Sequence, residues 1–270
     1  MHVELQPAYV LHARPYRETS LLLEVLSREL GRVGLIARGA RGSRGQSLRA
    51  QLQPGRPLLL GWRDVGELPV LAKVESGAAL PRISGNSLLS LFYVNELLVR
   101  LLPRRESHVS VFDRYALLIS QLSTPTGHAQ ALRSFEYGLL SGIGYAPTLD
   151  TDADGHLVVS GAHYRYAGEQ GLRRLPEAIA PTGADVPGEA LLALRVDAPL
   201  RPEWLVPLRR LLRQCIADQL NGRPLQSWRL SQLLSGASGP ASRLPERNPG
   251  ENGDGVEAAP GPTADNGSSA

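Results

Sequence analysis

The sequence predicts an α+β protein of several parts: a small closed barrel of five short strands, followed by a helical domain that a loop-rich insertion interrupts. Three observations lead there. Up to about residue 80, short apolar runs alternate with turn signals and no helical period is sustained. From Ser84 the apolar residues recur every three or four positions, and between 148 and 190 the composition turns acidic and glycine-punctuated. With 270 residues, 42% hydrophobic and 20% charged, the chain holds enough apolar side chains for more than one core.

The strands come in order. QPAYVLHA (6 to 13) alternates around Ala8 and Val10. TSLLLEVLS (19 to 27) and RVGLIAR (32 to 38) flank a short link ending in Gly31, as a hairpin requires. GRPLLLGWR (55 to 63) and ELPVLAKVE (67 to 75) flank Asp64-Val65-Gly66. Between the third and fourth strands, GARGSRGQSLRAQLQPG has glycines at 39, 42, 45 and 55 and reads as a mobile basic arm outside the core.

The first helix runs from Ser84 or Asn86 to Pro103, with Leu88, Leu91, Phe92, Leu98, Leu101 and Leu102 on one apolar side. A second, Ser107 to Leu122, buries Val111, Phe112, Tyr115, Leu118, Ile119 and Leu122. The third, about Ala129 to Ile143, turns Leu132, Phe135, Leu139 and Leu140 inward and stops at Gly144. Residues 148 to 190 carry seven acids against three arginines and form a loop-rich insertion with one hairpin. A final helix from Arg201 to Leu220 faces Trp204, Leu208, Leu211, Leu212, Cys215 and Ile216 inward, and a shorter one covers Gln226 to Leu234. Residues 236–270, with five prolines and seven glycines, cannot build a core and are expected to be disordered. The predicted divisions are thus 1–80, 81–147, 148–196, 197–235 and 236–270.

Composition excludes several classes. No apolar run reaches membrane-spanning length and the N-terminus lacks a signal core, so a soluble, cytoplasmic protein is expected. The single cysteine, Cys215, excludes internal disulfides and multi-cysteine metal sites. Neither a dinucleotide fingerprint, a P-loop, a nucleophile elbow nor an HExxH pair is present. Asp150, Asp152, Asp154 and Gly155 reproduce the opening of a calcium loop, but the position due its bidentate glutamate is Gly161. No cofactor or metal is expected, and an acidic cluster working with a divalent ion stands as the enzyme alternative.

Charge is the informative signal. The net charge is +3, yet residues 236–270 hold two arginines and five acids, which leaves +6 on the rest. From Leu30 to Arg63 there are seven arginines and no acid, the footprint of a polyanion partner. Of the 29 basic residues only Lys73 is lysine; a GC-rich genome produces that bias, and phosphate forks favour it as well. A barrel face of arginines with a basic arm would neutralise phosphates by counterion release. Tyr9, Tyr16 and Trp62 are the aromatics available to stack on bases; Tyr16, beside Arg14 and Arg17, is either a stacker or a structural corner, and the face of Trp62 is left open.

These residues resemble a family. VLHARPYRETSLLLEVLSRELGRVGLIARGAR (10 to 41), LQPGRPLLLGWRDVGEL (52 to 68), FYVNELLVRLLPR (92 to 104) and LRSFEYGLLSGIGY (132 to 145) are similar, in order and spacing, to the successive signatures of the bacterial recombination mediator protein O family, RecO. The resemblance covers most of residues 5 to 235 and implies an N-terminal OB-fold, a helical domain and no catalytic turnover. It also implies binding to single- and double-stranded DNA, strand annealing, contact with RecR and with the tail of single-stranded DNA-binding protein, a functional link to RecA, and a cytoplasmic, nucleoid-associated location. Carried over residue by residue, it puts DNA contacts at Arg14, Arg17, Arg32, Arg38, Arg41 and Arg44, and the local reading adds Tyr16 as the aromatic among them. It puts the receptor for the tail's carboxylate at Arg133, with Leu132, Phe135 and Leu139 either walling that site or packing in the core. Some relatives carry a four-cysteine zinc module in the insertion; residues 146–190 have no cysteine, so only its hairpin-like shell, Leu157 to Val159 and Tyr164 to Tyr166, is expected. The alternative is an OB-fold scaffold for proteins or RNA that does not anneal.

Overall fold

A computed structural model describes residues 2–64, 68–79, 83–124, 126–220 and 222–230. The first five strands are β1 (His2–Tyr16), β2 (Ser20–Ser27), β3 (Gly31–Ala37), β4 (Leu58–Arg63) and β5 (Val70–Ser76). They close into a barrel in the order β1-β2-β3-β5-β4, and β4 returns to pair with β1. Every neighbouring pair is antiparallel except β3 and β5, joined at Ile36 and Val70. Closure leaves no open edge, and a helix between β3 and β4 completes the topology of an OB-fold. Val10, Leu23, Val25, Leu35, Leu60 and Trp62 fill the interior.

β1 is longer than its apolar run predicts because it borders two strands. It bends through irregularities at Val3/Gln6 and Val10/His12, so the same strand serves both edges of the closure. Tyr9 and Leu11, two residues apart, share the outer face and pack onto the helical core, and the irregularity between Val10 and His12 shifts the parity so that Ala13 rejoins Ala8 and Val10 on the barrel side.

The basic segment after β3 departs from expectation. It is not a mobile arm: Gly42 N donates to Gly39 O (3.0 Å), Gly45 N to Gly42 O (2.9 Å), and the chain then forms α1 (Gln46–Gln51). Ala40 and Leu52 are buried in the barrel core, with Leu48 packed beside them. The spacing of Leu48 and Leu52, one helical turn apart, plugs the barrel while the arginines stay outside.

The helical part contains α2 (Asn86–Leu101), α3 (Val109–Leu122), α4 (His128–Gly142), α5 (Gly188–Arg195) and α6 (Leu205–Gln219). α3 buries all six residues expected of it, and α4 ends before Gly144, which takes a positive φ of 79°. α2 differs: Leu91, Val94, Leu97 and Leu98 face inward, whereas Leu88 and Phe92 remain 37% and 45% exposed. Cys215 on α6 lies in the core, where burial pushes its thiol up to about 11. Residues 226–230 are helical; the rest of the predicted short helix and residues 236–270 lie outside the described residues.

The insertion is more ordered than a set of loops. β6 (His163–Tyr166), β7 (Leu172–Arg174) and β8 (Val186–Pro187) form a three-stranded sheet in the order β7-β6-β8, and α5 follows directly. Without cysteines, it is held by buried Tyr164, whose hydroxyl accepts from Val159 N (2.8 Å), and by Arg165, which pairs bidentately with Asp185 at 2.7 and 2.9 Å. Asp185 also accepts from Thr182 N and Oγ1. The Arg165 hydrogen bonds hold its carboxyl well below the usual carboxylate range.

Barrel and helices are joined by a polar seam around an aromatic core. The Tyr9 ring packs edge-on to Tyr115, with centroids 5.0 Å apart, and lies 5.5 Å from Phe112. Tyr115 donates to Asn95 Oδ1 (2.7 Å), and Asn95 Nδ2 donates to Leu11 O (3.0 Å), so a buried polar chain reaches from α3 through α2 into β1. At the edge, Arg28 grips Asp113 with two bonds of 3.0 Å and Arg105 grips Asp64 at 3.0 and 3.1 Å. Gly31 is required here: its φ is +64°, and a Cβ would stand 1.7 Å from the Glu106 carbonyl oxygen.

Candidate nucleic-acid interface

One face of the β1-β2-β3 sheet has two different ends. Toward the helical part, Tyr9, Leu11 and Leu26 are covered by the helical core. In the middle, Glu24 pairs with both Arg32 and Arg104. At the far end β1 and β2 turn at Arg17-Glu18-Thr19, and all three of these residues are exposed.

That far end is built by local geometry. Arg17 takes a positive φ of 50°, which tightens the turn and brings its guanidinium over the Tyr16 ring, 5.3 Å from the centroid. The segment leaving β3 is tied to the same turn: Arg41 N donates to Thr19 O (2.8 Å) and Arg41 Nη1 to Arg17 O (3.1 Å). Arg38 follows Ala37, which pairs with Leu21, so it emerges beside the Tyr16–Ser20 pair. Arg14, Arg17, Arg38, Arg41 and Arg44 are all exposed, Tyr16 is half-buried, and none of these arginines has an acidic partner among the described residues. Arg49 on α1 and Arg56 beyond it extend the exposed series.

Arg32 belongs elsewhere. Its Nε donates to Leu102 O (2.9 Å) and its Nη1 to Glu24 Oε2 (2.9 Å), with 14% of the side chain exposed. It is a seam residue joining β3 to the end of α2. The other two aromatics leave the surface as well: Trp62 is 1% exposed inside the barrel and Tyr9 lies in the aromatic seam.

Arg133 is likewise interior. Its side chain is 6% exposed, and Nε and Nη2 donate to the two oxygens of Glu136 at 2.7 and 2.6 Å. Tyr93 donates to the same carboxylate at 2.8 Å. Burial, then the adjacent Glu136 charge, raises the Tyr93 hydroxyl well above its ordinary range. Phe135 and Leu139 are core residues, and Leu132 is partly buried against them. The structure therefore favours the packing alternative for all three. The motif residue that sequence reasoning passed over is Glu136, whose i, i+3 spacing from Arg133 was visible.

In the insertion, Asp152, Asp154 and His156 bring ligand-capable atoms within 4.8 Å of one another on an exposed loop. Asp152 Oδ1 is already an acceptor for the backbone N–H groups of Asp154 and His156, at 3.0 and 2.9 Å. These bonds close a turn of the kind an aspartate makes on its own.

A closed OB barrel with a basic rim, seamed to a helical body, defines a class of barrel proteins that offer arginine to a polyanion. The comparisons narrow the class. The model described as "Recombination protein O N terminal" matches residues 1–79, and "Recombination protein O C terminal" matches residues 84–229. The chain is 41% identical over 237 residues to "DNA repair protein RecO" of Xanthomonas campestris pv. campestris, covering 87% of this chain and 98% of the relative. It is 42% identical over 249 residues to the protein of that name from Nitrosococcus oceani, covering 92% and 100%. The counterpart in Dechloromonas aromatica is 38% identical over 235 residues, covering 86% and 96%. The chain belongs to the RecO family, and its role is in DNA repair. No described helix is long and apolar enough to cross a membrane.

Proposed function

We propose that the chain is a recombination mediator that binds single- and double-stranded DNA through phosphates and anneals complementary strands. In this reading it works without catalytic turnover, with RecR, and helps RecA load onto strands coated with single-stranded DNA-binding protein. The observation that carries the proposal is the run of exposed arginines at 38, 41, 44, 49 and 56 in a segment without a single acid.

Annealing requires two polyanions to approach while their bases stay free to pair. Guanidinium groups on a rim release condensed counterions and grip phosphates without reading base edges, which meets both needs. Arg14, Arg17, Arg38, Arg41 and Arg44 are the phosphate contacts, and Tyr16, braced by Arg17, is the rim's aromatic. α1 stiffens what would otherwise be a floppy basic loop, so less ordering entropy is lost on binding. Docking of the binding protein's tail falls to the helical part. In the state described, Arg133 serves its core, and a carboxylate ligand there would have to displace Glu136.

An annealing assay with complementary oligonucleotides tests the reading through Arg38→Glu combined with Arg41→Glu. Strand annealing should fall by more than about tenfold, given the loss of two phosphate contacts and the two negative charges put in their place. Undiminished annealing would remove the rim as the DNA site and leave the scaffold alternative.

A further inference from the structure

The exposed arginines do not stop at the barrel rim. Arg49 stands on α1, and past it the chain turns at Gly55 (φ +77°) so closely against α2 that a Cβ there would lie 2.9 Å from Leu91. Between α1, this turn and the start of α2 lies an open groove of about 880 Å³. Arg49 and Arg56 line one side, with Arg56 Nη1 held near Ala50 O at 3.4 Å. Leu88 and Phe92 line the other, 37% and 45% exposed, while Leu91 makes an apolar floor. None of the lining residues among those described is Asp or Glu.

Phe92 is unusual for its position. It lies outside the inward face of α2 and takes no part in the ring cluster of Tyr9, Phe112, Tyr115 and Phe135. A half-exposed phenyl that lines the same groove as two guanidinium groups with no acidic partner among the described residues has the chemistry of a single-strand platform, in which the ring stacks on an unpaired base while the cations follow its phosphates. A duplex keeps its bases inside the stack and offers such a ring nothing.

We infer that the α1/α2 groove is a single-strand subsite, in which Phe92 stacks on a base and Arg49 and Arg56 hold the flanking phosphates. The inference rests on the DNA-binding reading of the rim and adds to it a preference for unpaired strands. It also gives the strand a path, from Arg38 and Arg41 along α1 into the groove.

The test uses the full chain with fluorescein-labelled oligo(dT) and a duplex of equal length. Phe92→Ala should weaken oligo(dT) binding by about five- to tenfold and leave duplex binding within about twofold. Because stacking releases few counterions, the slope of affinity against salt should stay the same, whereas Arg49→Ala combined with Arg56→Ala should flatten it. Phe92→Trp should retain single-strand affinity. In the unaltered protein, oligonucleotides carrying 5-iodouracil should cross-link within the peptide from Ile83 to Arg100, a readout that no folding defect can mimic. Oligo(dT) affinity unchanged in Phe92→Ala, or cross-links confined to residues 38–44, would overturn the subsite while leaving the rim intact. If Phe92→Ala instead released only a labelled acidic, apolar peptide, the groove would be a peptide site and the inference wrong. Failure of the rim itself would appear separately, as normal DNA binding by the Arg38→Glu, Arg41→Glu protein.

Discussion

The two ends of one sheet face use the same residue in opposite ways. Where the β1-β2-β3 face meets the helices, Arg28, Arg32, Arg104 and Arg105 are each matched to a carboxylate, and their partners come from the other part of the molecule or a neighbouring strand. At the far end Arg14, Arg17, Arg38, Arg41 and Arg44 are exposed and have no acidic partner among the described residues. Arginine abundance alone therefore identifies no ligand; the distribution of acids around it does. A guanidinium already satisfied by a carboxylate holds a fold together, and one facing water alone keeps its charge for a polyanion.

The sharpest way to break this division is to treat an interior arginine as a surface one. Arg133→Ala would leave the buried Glu136 carboxylate without an opposite charge, held by the Tyr93 hydroxyl, which should cost about 3–5 kcal/mol of stability and lower the melting temperature by many degrees. Replacing both residues with apolar ones of similar volume should restore most of the loss. If Arg133→Ala melted like the parent and lost only tail-peptide binding, Arg133 would belong with the functional arginines.

The seam comes next. Gly31→Ala forces a side chain into the left-handed region, at a cost of about 1–3 kcal/mol from conformation alone, and drives a methyl into the Glu106 carbonyl. Loosening of the barrel should follow, visible as faster hydrogen exchange in β3 and at the start of α3. Unaltered exchange there would mean that the two parts are not rigidly joined through this seam.

A smaller effect separates the insertion from the rim by pH. Arg165 depresses the Asp185 carboxyl in the folded state, so its contribution is complete above the unfolded value near 3.9 and disappears as pH falls through the lower folded value. Below about pH 4 the parent should lose stability progressively, and Asp185→Asn should flatten that acid limb while starting less stable. Identical acid limbs would exclude the pair as a tie that holds the insertion together.

The smallest stability effect belongs to the rim. Arg38→Ala should change stability by less than about 0.5 kcal/mol, since its side chain is exposed and has no ion partner among the described residues, and Arg41→Ala by no more than about 1 kcal/mol, since it adds only the loss of one exposed bond to Arg17 O.

How far the sequence reached follows the same division. Features that depend on neighbours in the chain were legible: the five strands, the period of α3, the stop at Gly144 and the acid-free arginine stretch. Features that depend on distant partners were not. Arg32 looks like any other rim arginine until Leu102, seventy residues on, accepts from it. Trp62 could not be given a face because the run Leu58-Leu59-Leu60 is apolar at both parities, and only barrel closure selects 58, 60 and 62 as the inner set. Two signals were present and underused: the one-turn spacing of Leu48 and Leu52, which anchors α1, and the Arg133–Glu136 spacing, which buries a charge pair. Glycine and arginine content points instead to a mobile arm, and the family resemblance to a surface receptor at Arg133.

The central claim is that the unpaired arginines hold the DNA backbone. Its most direct test is the salt dependence of oligo(dT) affinity for the parent and for Arg38→Ala, Arg41→Ala and the double variant. The account predicts that the slope of log affinity against log salt falls by about 0.7 for each arginine removed, additively and with little change in melting temperature. Parent and double variant sharing one slope would contradict it.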